Sequence, residues 1–202
     1  MIVMEIVPFD KRRSKIILED DFTLVLYRGE IKKFEIQEGK LLSEETYQTI
    51  LQEVLVKRAR ERVLYLLKAS DKTEQELRRK LKEGGYPKEA ADDAINFLKV
   101  HRFIDDQEYG RRYVEFNQRR KSKKQIQYEL QKKGLDREMV REILTEQPVN
   151  EEAQIKAYVS RKCLKPEEMD FKERSRIMAA LGRKGFSYDA ISHVLGGFYG
   201  DD

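Results

Sequence analysis

LQKKGLDREMVREIL occupies residues 130–144, and its reading decides the fold because the chain writes the same outline twice more. LKEGGYPKEAADDAI runs from 81 to 95 and LGRKGFSYDAISHVL from 181 to 195. Each stretch begins with Leu, has Gly four residues later and then an aromatic or aliphatic residue, and closes on a branched apolar residue ten positions past that Gly. Aligned on Gly85, Gly134 and Gly185, the copies are 49 and 51 residues apart. In that register Leu77, Ile126 and Ile177 coincide, as do Leu81, Leu130 and Leu181. So do Tyr86, Leu135 and Phe186; Ala91, Val140 and Ile191; and Ile95, Leu144 and Leu195. Leu64 falls over Tyr113 and Leu67 over Phe116, so a preceding helix belongs to the unit.

Helix signals recur in the same register. Thr73 with Glu76 and Ser122 with Gln125 form the S/T-x-x-E/Q pattern that satisfies free N–H groups at a helix start. In the third copy the equivalent pair, Asp170 with Glu173, lies three residues early. The aligned glycines suit helix C-termini, where a left-handed residue costs Gly little. Pro87, Asp136 and Ser187 suit the start of the next helix. Asp105 with Glu108 marks the start of the second unit, and 148–150 separates the second from the third. Each unit thus reads as helix, helix, Gly turn, helix, roughly 50 residues long, a repeat that stacks on its neighbours.

Upstream the pattern changes. Phe22, Leu24 and Leu26 alternate with Thr23, Val25 and Tyr27, the period of a half-buried strand. Ile2 to Val7 and Lys15 to Leu18 read as further short strands, and Arg28-Gly29-Glu30 as a turn. Ser43 suits an N-cap, and 44–83 contains neither Gly nor Pro, so one long helix or two nearly continuous ones span 44 to 68. The expected fold is mainly α: three tandem three-helix repeats in an elongated curved array sharing one apolar seam, with a small N-terminal β-strand segment. The expected boundaries are 1–43 for the β segment, 44–104 for the linking helix and first repeat, 105–148 for the second and 149–202 for the third.

Composition restricts the function. Of 202 residues 40% are hydrophobic and 39% charged, for a net charge of only +4, which fits slender folded elements with a heavily charged surface. No window approaches the ~18 apolar residues of a membrane span, and the N-terminus lacks a signal-peptide pattern. A single cysteine, Cys163, cannot form an internal disulfide, so the expectation is a soluble cytoplasmic protein. A stacked array completes its core without a second copy, which points to a monomer.

No catalytic constellation emerges. There is no phosphate-binding loop, and the glycines of EGGYPKE and GRKGF fit helix ends better. His101 and His193 lie in different units, and Cys163 has no partner at metal-ligand spacing. Asp105-Asp106 reads as a helix cap rather than a metal-binding pair. No catalytic residue, cofactor or metal is therefore expected. The basic segment says more. Residues 57–147 carry 24 Lys or Arg against 17 Asp or Glu, and 111–133 carries nine against two. Those nine, Arg111, Arg112, Arg119, Arg120, Lys121, Lys123, Lys124, Lys132 and Lys133, are the candidate binding residues. Spacing puts Arg112, Arg119 and Lys123 along one stripe, with Tyr113 and Phe116 toward the core. Acidic residues normally intersperse a solvated helix face; here they are scarce, which suits an anionic macromolecular partner. A helix-turn-helix reading is weaker, since the pattern occurs three times at unlike charge.

The ordered set Phe103-Ile104-Asp105-Asp106-Gln107-Glu108-Tyr109, Ser122-Lys123-Lys124-Gln125-Ile126, Leu130-Gln131-Lys132-Lys133-Gly134-Leu135 and Leu181 to Ile191 resembles the RecX family, regulators of the bacterial RecA recombinase. The likeness covers about residues 57–197 and departs from the usual pattern at Gly110 and in the third-unit cap. It implies tandem three-helix repeats without enzymatic activity, acting on the RecA–DNA filament to hinder its growth and dampen strand exchange and ATP hydrolysis. The RecA filament is then the expected partner, with single- or double-stranded DNA as a further one. The alternative is a direct DNA-binding protein using the basic second repeat.

Overall fold

The computed structural model describes residues 1–19 and 22–198; the last four positions of the expected third repeat lie outside the described residues. Three strands, β1 (Val3–Pro8), β2 (Arg13–Leu18) and β3 (Thr23–Tyr27), form an antiparallel sheet in the order β1-β2-β3. Ile16, Leu24 and Leu26 are buried in it, but the expected alternation holds only in part: Phe22 is exposed, and Val25 is buried on the other face, where the Gly85 corner packs on it. Residues 28–33 are not a turn but a short helix, α1 (Arg28–Lys33), whose Glu30 carboxylate accepts from the Tyr27 N–H at 2.8 Å. Gly29 there meets nothing within 4 Å of a would-be Cβ, so it is an ordinary helical position rather than a turn signal.

Helix α2 (Glu44–Thr49) starts at Ser43, whose hydroxyl accepts from the Thr46 N–H at 3.1 Å. It runs without a break through a π-helical segment (Ile50–Val56) into α3 (Lys57–Ala69). In π winding the backbone bonds run i→i+5. Ile50 and Leu55, and Leu51 and Val56, are five apart, and all four are buried, so the wider winding keeps two apolar pairs on the core side. The first repeat continues with α4 (Glu74–Glu83) and α5 (Lys88–Val100). The second holds α6 (Asp106–Asn117), α7 (Lys123–Lys132) and α8 (Arg137–Glu146). The third holds α9 (Glu151–Lys162), α10 (Phe171–Arg183) and α11 (Tyr188–Gly196). The fold is thus mainly helical with a three-stranded sheet at its N-terminal end. Contacts divide the chain into two compact units, residues 1–105 and 106–202.

The recurring motif is a helix-ending corner. Gly85, Gly134 and Gly185 have φ of +79°, +96° and +86°. The next amide reaches back to the Leu carbonyl five residues earlier: Tyr86 to Leu81 at 3.1 Å, Leu135 to Leu130 at 3.1 Å and Phe186 to Leu181 at 3.3 Å. The glycine amides bond one residue further on, to Lys82, Gln131 and Gly182. This is the Schellman arrangement, in which two orphan carbonyls are satisfied and an apolar residue packs back on the last turn. The paired side chains agree: the three leucines are fully buried, and Leu135 and Phe186 are buried over them, with Tyr86 half-buried.

The caps also follow the register. Thr73 and Ser122 accept from the N–H three residues on, and both are buried. Asp170 caps α10 in the same way but stands exposed, three residues early, so α10 has 13 residues where α4 and α7 have 10. The early cap is therefore one added helical turn, with the C-terminal corner still in register.

Among the described residues the buried apolar side chains form three separate clusters. The sheet and first repeat share one core, whereas the second and third repeats each close a core of their own. Within the unit of residues 106–202 the junction of the second and third repeats is instead polar. Ser122 Oγ donates to the Lys184 carbonyl at 2.9 Å, the Lys123 N–H donates to Glu151 Oε1 at 2.8 Å, and Gln154 Nε2 donates to the carbonyls of Gln118 at 2.7 Å and Lys121 at 3.2 Å. A Cβ at Gly185 would lie 2.8 Å from Ser122 Oγ, so this glycine permits both the left-handed backbone and the close approach. The first repeat meets the sheet at the equivalent corner. Arg13 Nη1 donates to the Gly84 carbonyl at 3.1 Å, and a Cβ at Gly85 would lie 2.3 Å from Val25 Cγ2.

Two expectations follow, both checked by urea or thermal denaturation. Gly85→Ala should destabilise the first unit by about 2–5 kcal/mol, combining a left-handed alanine with overpacking, while Gly29→Ala should stabilise slightly, by about 0.5–1 kcal/mol. Ser122→Ala should cost about 1–3 kcal/mol, because the cap is lost and the Lys184 carbonyl loses its donor at a part-buried junction. Asp170→Ala, removing an exposed cap alone, should cost only about 1 kcal/mol.

Candidate filament or nucleic-acid interface on the second repeat

Helices α6 and α7 carry the basic segment. Gly110, Val114 and Asn117 form the buried side of α6, and Ile126 and Leu130 that of α7. Gly110, where the sequence departs from the family pattern, has a packing reason. A Cβ there would come within 2.5 Å of Ile143 Cδ1 and 2.9 Å of Leu135 Cδ2, so the glycine lets α6 lie close to α8.

The nine candidate cations separate into distinct groups. Arg111 faces α8 and is held by Glu146, with both Nε and Nη2 at 3.1 Å from Oε2. Lys121 turns inward, its Nζ 2.5 Å from Glu129 Oε2 and 3.0 Å from the Tyr113 hydroxyl, which itself donates to Glu129. Burial opposes the charge of both Lys121 and Glu129. The hydrogen bonds of this triad outweigh it, holding the lysine above and the carboxyl below their ordinary pKa values. Lys133 is half-buried with its Nζ 5.5 Å from the Tyr109 ring centre. Arg112, Arg119, Arg120, Lys123, Lys124 and Lys132 have exposed side chains.

Four of the exposed cations gather at one place. Helix α6 ends at Asn117, whose side chain donates back to the Tyr113 carbonyl at 2.8 Å, and the amides of Arg120 and Lys121 return to the Asn117 carbonyl. The chain turns, Ser122 caps α7, and Lys123 and Lys124 enter its first turn. Arg119 and Arg120 before the cap and Lys123 and Lys124 after it therefore flank a helix N-terminus, the capped helix start around which the basic residues also cluster in the sequence. The turn is held from below by Gln154 and Ser122, so its position is set by the third repeat. The first turn of α7 contains no acidic residue, whereas α4, α6, α8, α9, α10 and α11 each contain at least one. Acids there would complement the helix dipole. For α7 a single carboxylate, Glu151, is supplied from α9.

Phe116 corrects a second expectation. It is not turned toward the core but is 74% exposed, since Gly110, Val114 and Asn117 already occupy the inward positions. The Arg120 guanidinium lies 5.8 Å from its ring centre. Tyr128 on α7, which spacing did not single out, is 64% exposed.

The other sequence candidates stay apart. His101 Nδ1 lies 2.9 Å from the Phe97 carbonyl, and its ring stacks on Phe103. His193 is 3.8 Å from Glu152, and Cys163 Sγ donates to the Lys165 carbonyl at 3.3 Å. Among the described residues no group of three or more His, Cys, Asp or Glu stands together as a metal site, and no helix is long and apolar enough to cross a membrane.

Comparison with known proteins converges on one family. Models of the first, second and third three-helix domains of RecX match residues 59–98, 105–144 and 150–195. The chain is 25% identical to the regulatory protein RecX of Clostridium botulinum (strain Eklund 17B / Type B) across 95% of its own length and 92% of the relative. It is 27% identical to that of Clostridium acetobutylicum, over 92% and 89% of the two chains. Two solved structures share the fold. A crystal structure of regulatory protein RecX aligns over 95% of this chain and 97% of that one, with a TM-score of 0.61 at 22% identity. RecX from Lactobacillus salivarius aligns over 71% and 96%, with a TM-score of 0.63 at 22% identity. Three consecutive domain models covering more than half of the residues show that the chain belongs to the RecX family of regulatory proteins.

Proposed function

We propose that this protein is a non-catalytic regulator of the RecA recombinase, which binds the RecA–DNA filament through the basic face of its second repeat and inhibits recombination in the cytoplasm. Family membership supports the regulatory role. One observation carries the choice of surface: Arg119, Arg120, Lys123 and Lys124 crowd a helix N-terminus that has no acid in its own first turn. A helix start repels cations, and the single carboxylate there, Glu151 from α9, offsets four cations only in part, which suits the side chains of this turn to an external anion. Acidic protein surface and DNA phosphates both lie within a nucleoprotein filament. Three repeats in one chain also let individually weak contacts add through multivalency.

The test is DNA-dependent ATP hydrolysis by the cognate recombinase. Sub-stoichiometric wild-type protein should slow it. Reversing Arg119, Arg120, Lys123 and Lys124 to Glu should weaken that inhibition at least about tenfold, since like charges opposed across an interface are costly. Hydrolysis and strand exchange that stay unchanged at equimolar wild-type protein would contradict the regulatory reading. Full inhibition by the reversed variant would contradict the choice of surface.

A further inference from the structure

The exposed aromatics of the second repeat are unexplained by its fold. In the repeat register Tyr128 coincides with Arg79 and Ala179, so the architecture needs no ring at that position. Phe116 coincides with Leu67, which packs partly buried on the first-repeat core, whereas Phe116 stands in solvent. Single exposed apolar residues are common on protein surfaces, but these two stand among cations on adjacent helices, α6 and α7.

Their placement follows from the contacts of α6 and α7. Tyr113 marks the side of α6 that faces α7, because it bonds Glu129, while Arg111 marks the opposite side, facing α8. Phe116 follows Tyr113 by three residues and so lies on the α7 side. On α7, Glu129 marks the side facing α6, with Lys132 three residues on; Tyr128, about 100° round the helix from Glu129, lies on the side away from the buried Ile126 and Leu130. Lys124 and Lys132 lie four residues before and after Tyr128, one helical turn each way. Arg120 lies past the end of α6, in the turn, with its guanidinium 5.8 Å from the Phe116 ring centre. Tyr128 is thus bracketed by exposed cations at one-turn spacing, and Phe116 has the Arg120 guanidinium beside its ring.

We propose that the exposed surfaces of α6, the following turn and α7 bind single-stranded nucleic acid, with unpaired bases stacking on Phe116 and Tyr128 and phosphates meeting Arg120, Lys124 and Lys132. The inference rests on the second repeat being the interface and names the part of the partner it meets. A duplex would engage the cations but keeps its base faces inside the stack, leaving both rings without a partner. An acidic protein surface would likewise use the charge and not the ring faces. Alternating cations and open aromatic rings match a strand whose bases and phosphates are both accessible.

The experiment uses full-length protein and three fluorescent probes of equal length: an oligothymidylate, a strand of the same phosphates without bases, and a duplex. Wild-type protein should bind the oligothymidylate most tightly. Phe116→Ala combined with Tyr128→Ala should weaken oligothymidylate binding about tenfold or more, the scale of lost base–aromatic stacking, and leave the base-free strand and the salt dependence unchanged. Phe116→Tyr with Tyr128→Phe should restore the preference, which separates ring chemistry from damage to the fold. Lys124→Glu with Arg120→Glu should weaken all three probes. Equal wild-type binding to all three probes, no binding to any, or an alanine variant that keeps the preference would overturn the inference. None of these results bears on inhibition of ATP hydrolysis, which is measured separately and decides the regulatory reading.

Discussion

A left-handed backbone residue after the last turn of a helix is the constraint on which this structure depends. Only glycine adopts that conformation without steric cost, and here it does so at Gly85, Gly134 and Gly185. Each corner lets the following amide return to a leucine carbonyl five residues back and folds an apolar side chain over that leucine. Such a turn sets the direction in which the third helix of the repeat leaves, and so which face of it can close the core. Three cores then need nothing from a shared seam.

The same corners present main-chain carbonyls outward, and the structure uses them as sockets. Ser122 fills the one at Lys184, and Arg13 fills the one at Gly84, the aligned position. The sheet therefore covers the first repeat at the corner where the second repeat meets the third, which gives the N-terminal segment the part of a capping repeat. At the other end of the repeat series the equivalent cap, Asp170, is charged and exposed rather than buried like Thr73 and Ser122. For function, the Ser122 junction matters most, because it seats the basic turn of the second repeat on the third with hydrogen bonds to its backbone. The cations around that turn are thereby held close together despite their mutual repulsion.

Much of this was readable from local spacing. The Leu-x-x-x-Gly-apolar outline, the caps at Thr73, Ser122 and Asp170, and the uninterrupted helix from Ser43 onward all rest on interactions between residues three to five apart. What escaped depends on contacts remote in the chain or on small angular differences. Glu151 supplies α7 with its acid from 28 residues away, and Lys121, counted among the available cations, is taken by Glu129 across a turn. Phe116 sat over Leu67 in the alignment, but on the flank of a helix a modest rotation decides between core and solvent, and Gly110 and Asn117 decided it. The π winding of 50–56 was hidden because its apolar positions also satisfy an α-helical period. Gly29 misled as a turn residue because composition alone does not distinguish a helical glycine from a loop one.

Native-state hydrogen exchange at the amides of Tyr86, Leu135 and Phe186 tests the governing corner most directly. Each lies just past a helix end, where an unbonded amide would exchange at the rate of an open loop. If the corners hold as described, all three should be protected to nearly the level of Leu81, Leu130 and Leu181 within their own repeats. Loop-like exchange at any of the three amides would show that the corner in that repeat does not fix its helices, and would contradict the account.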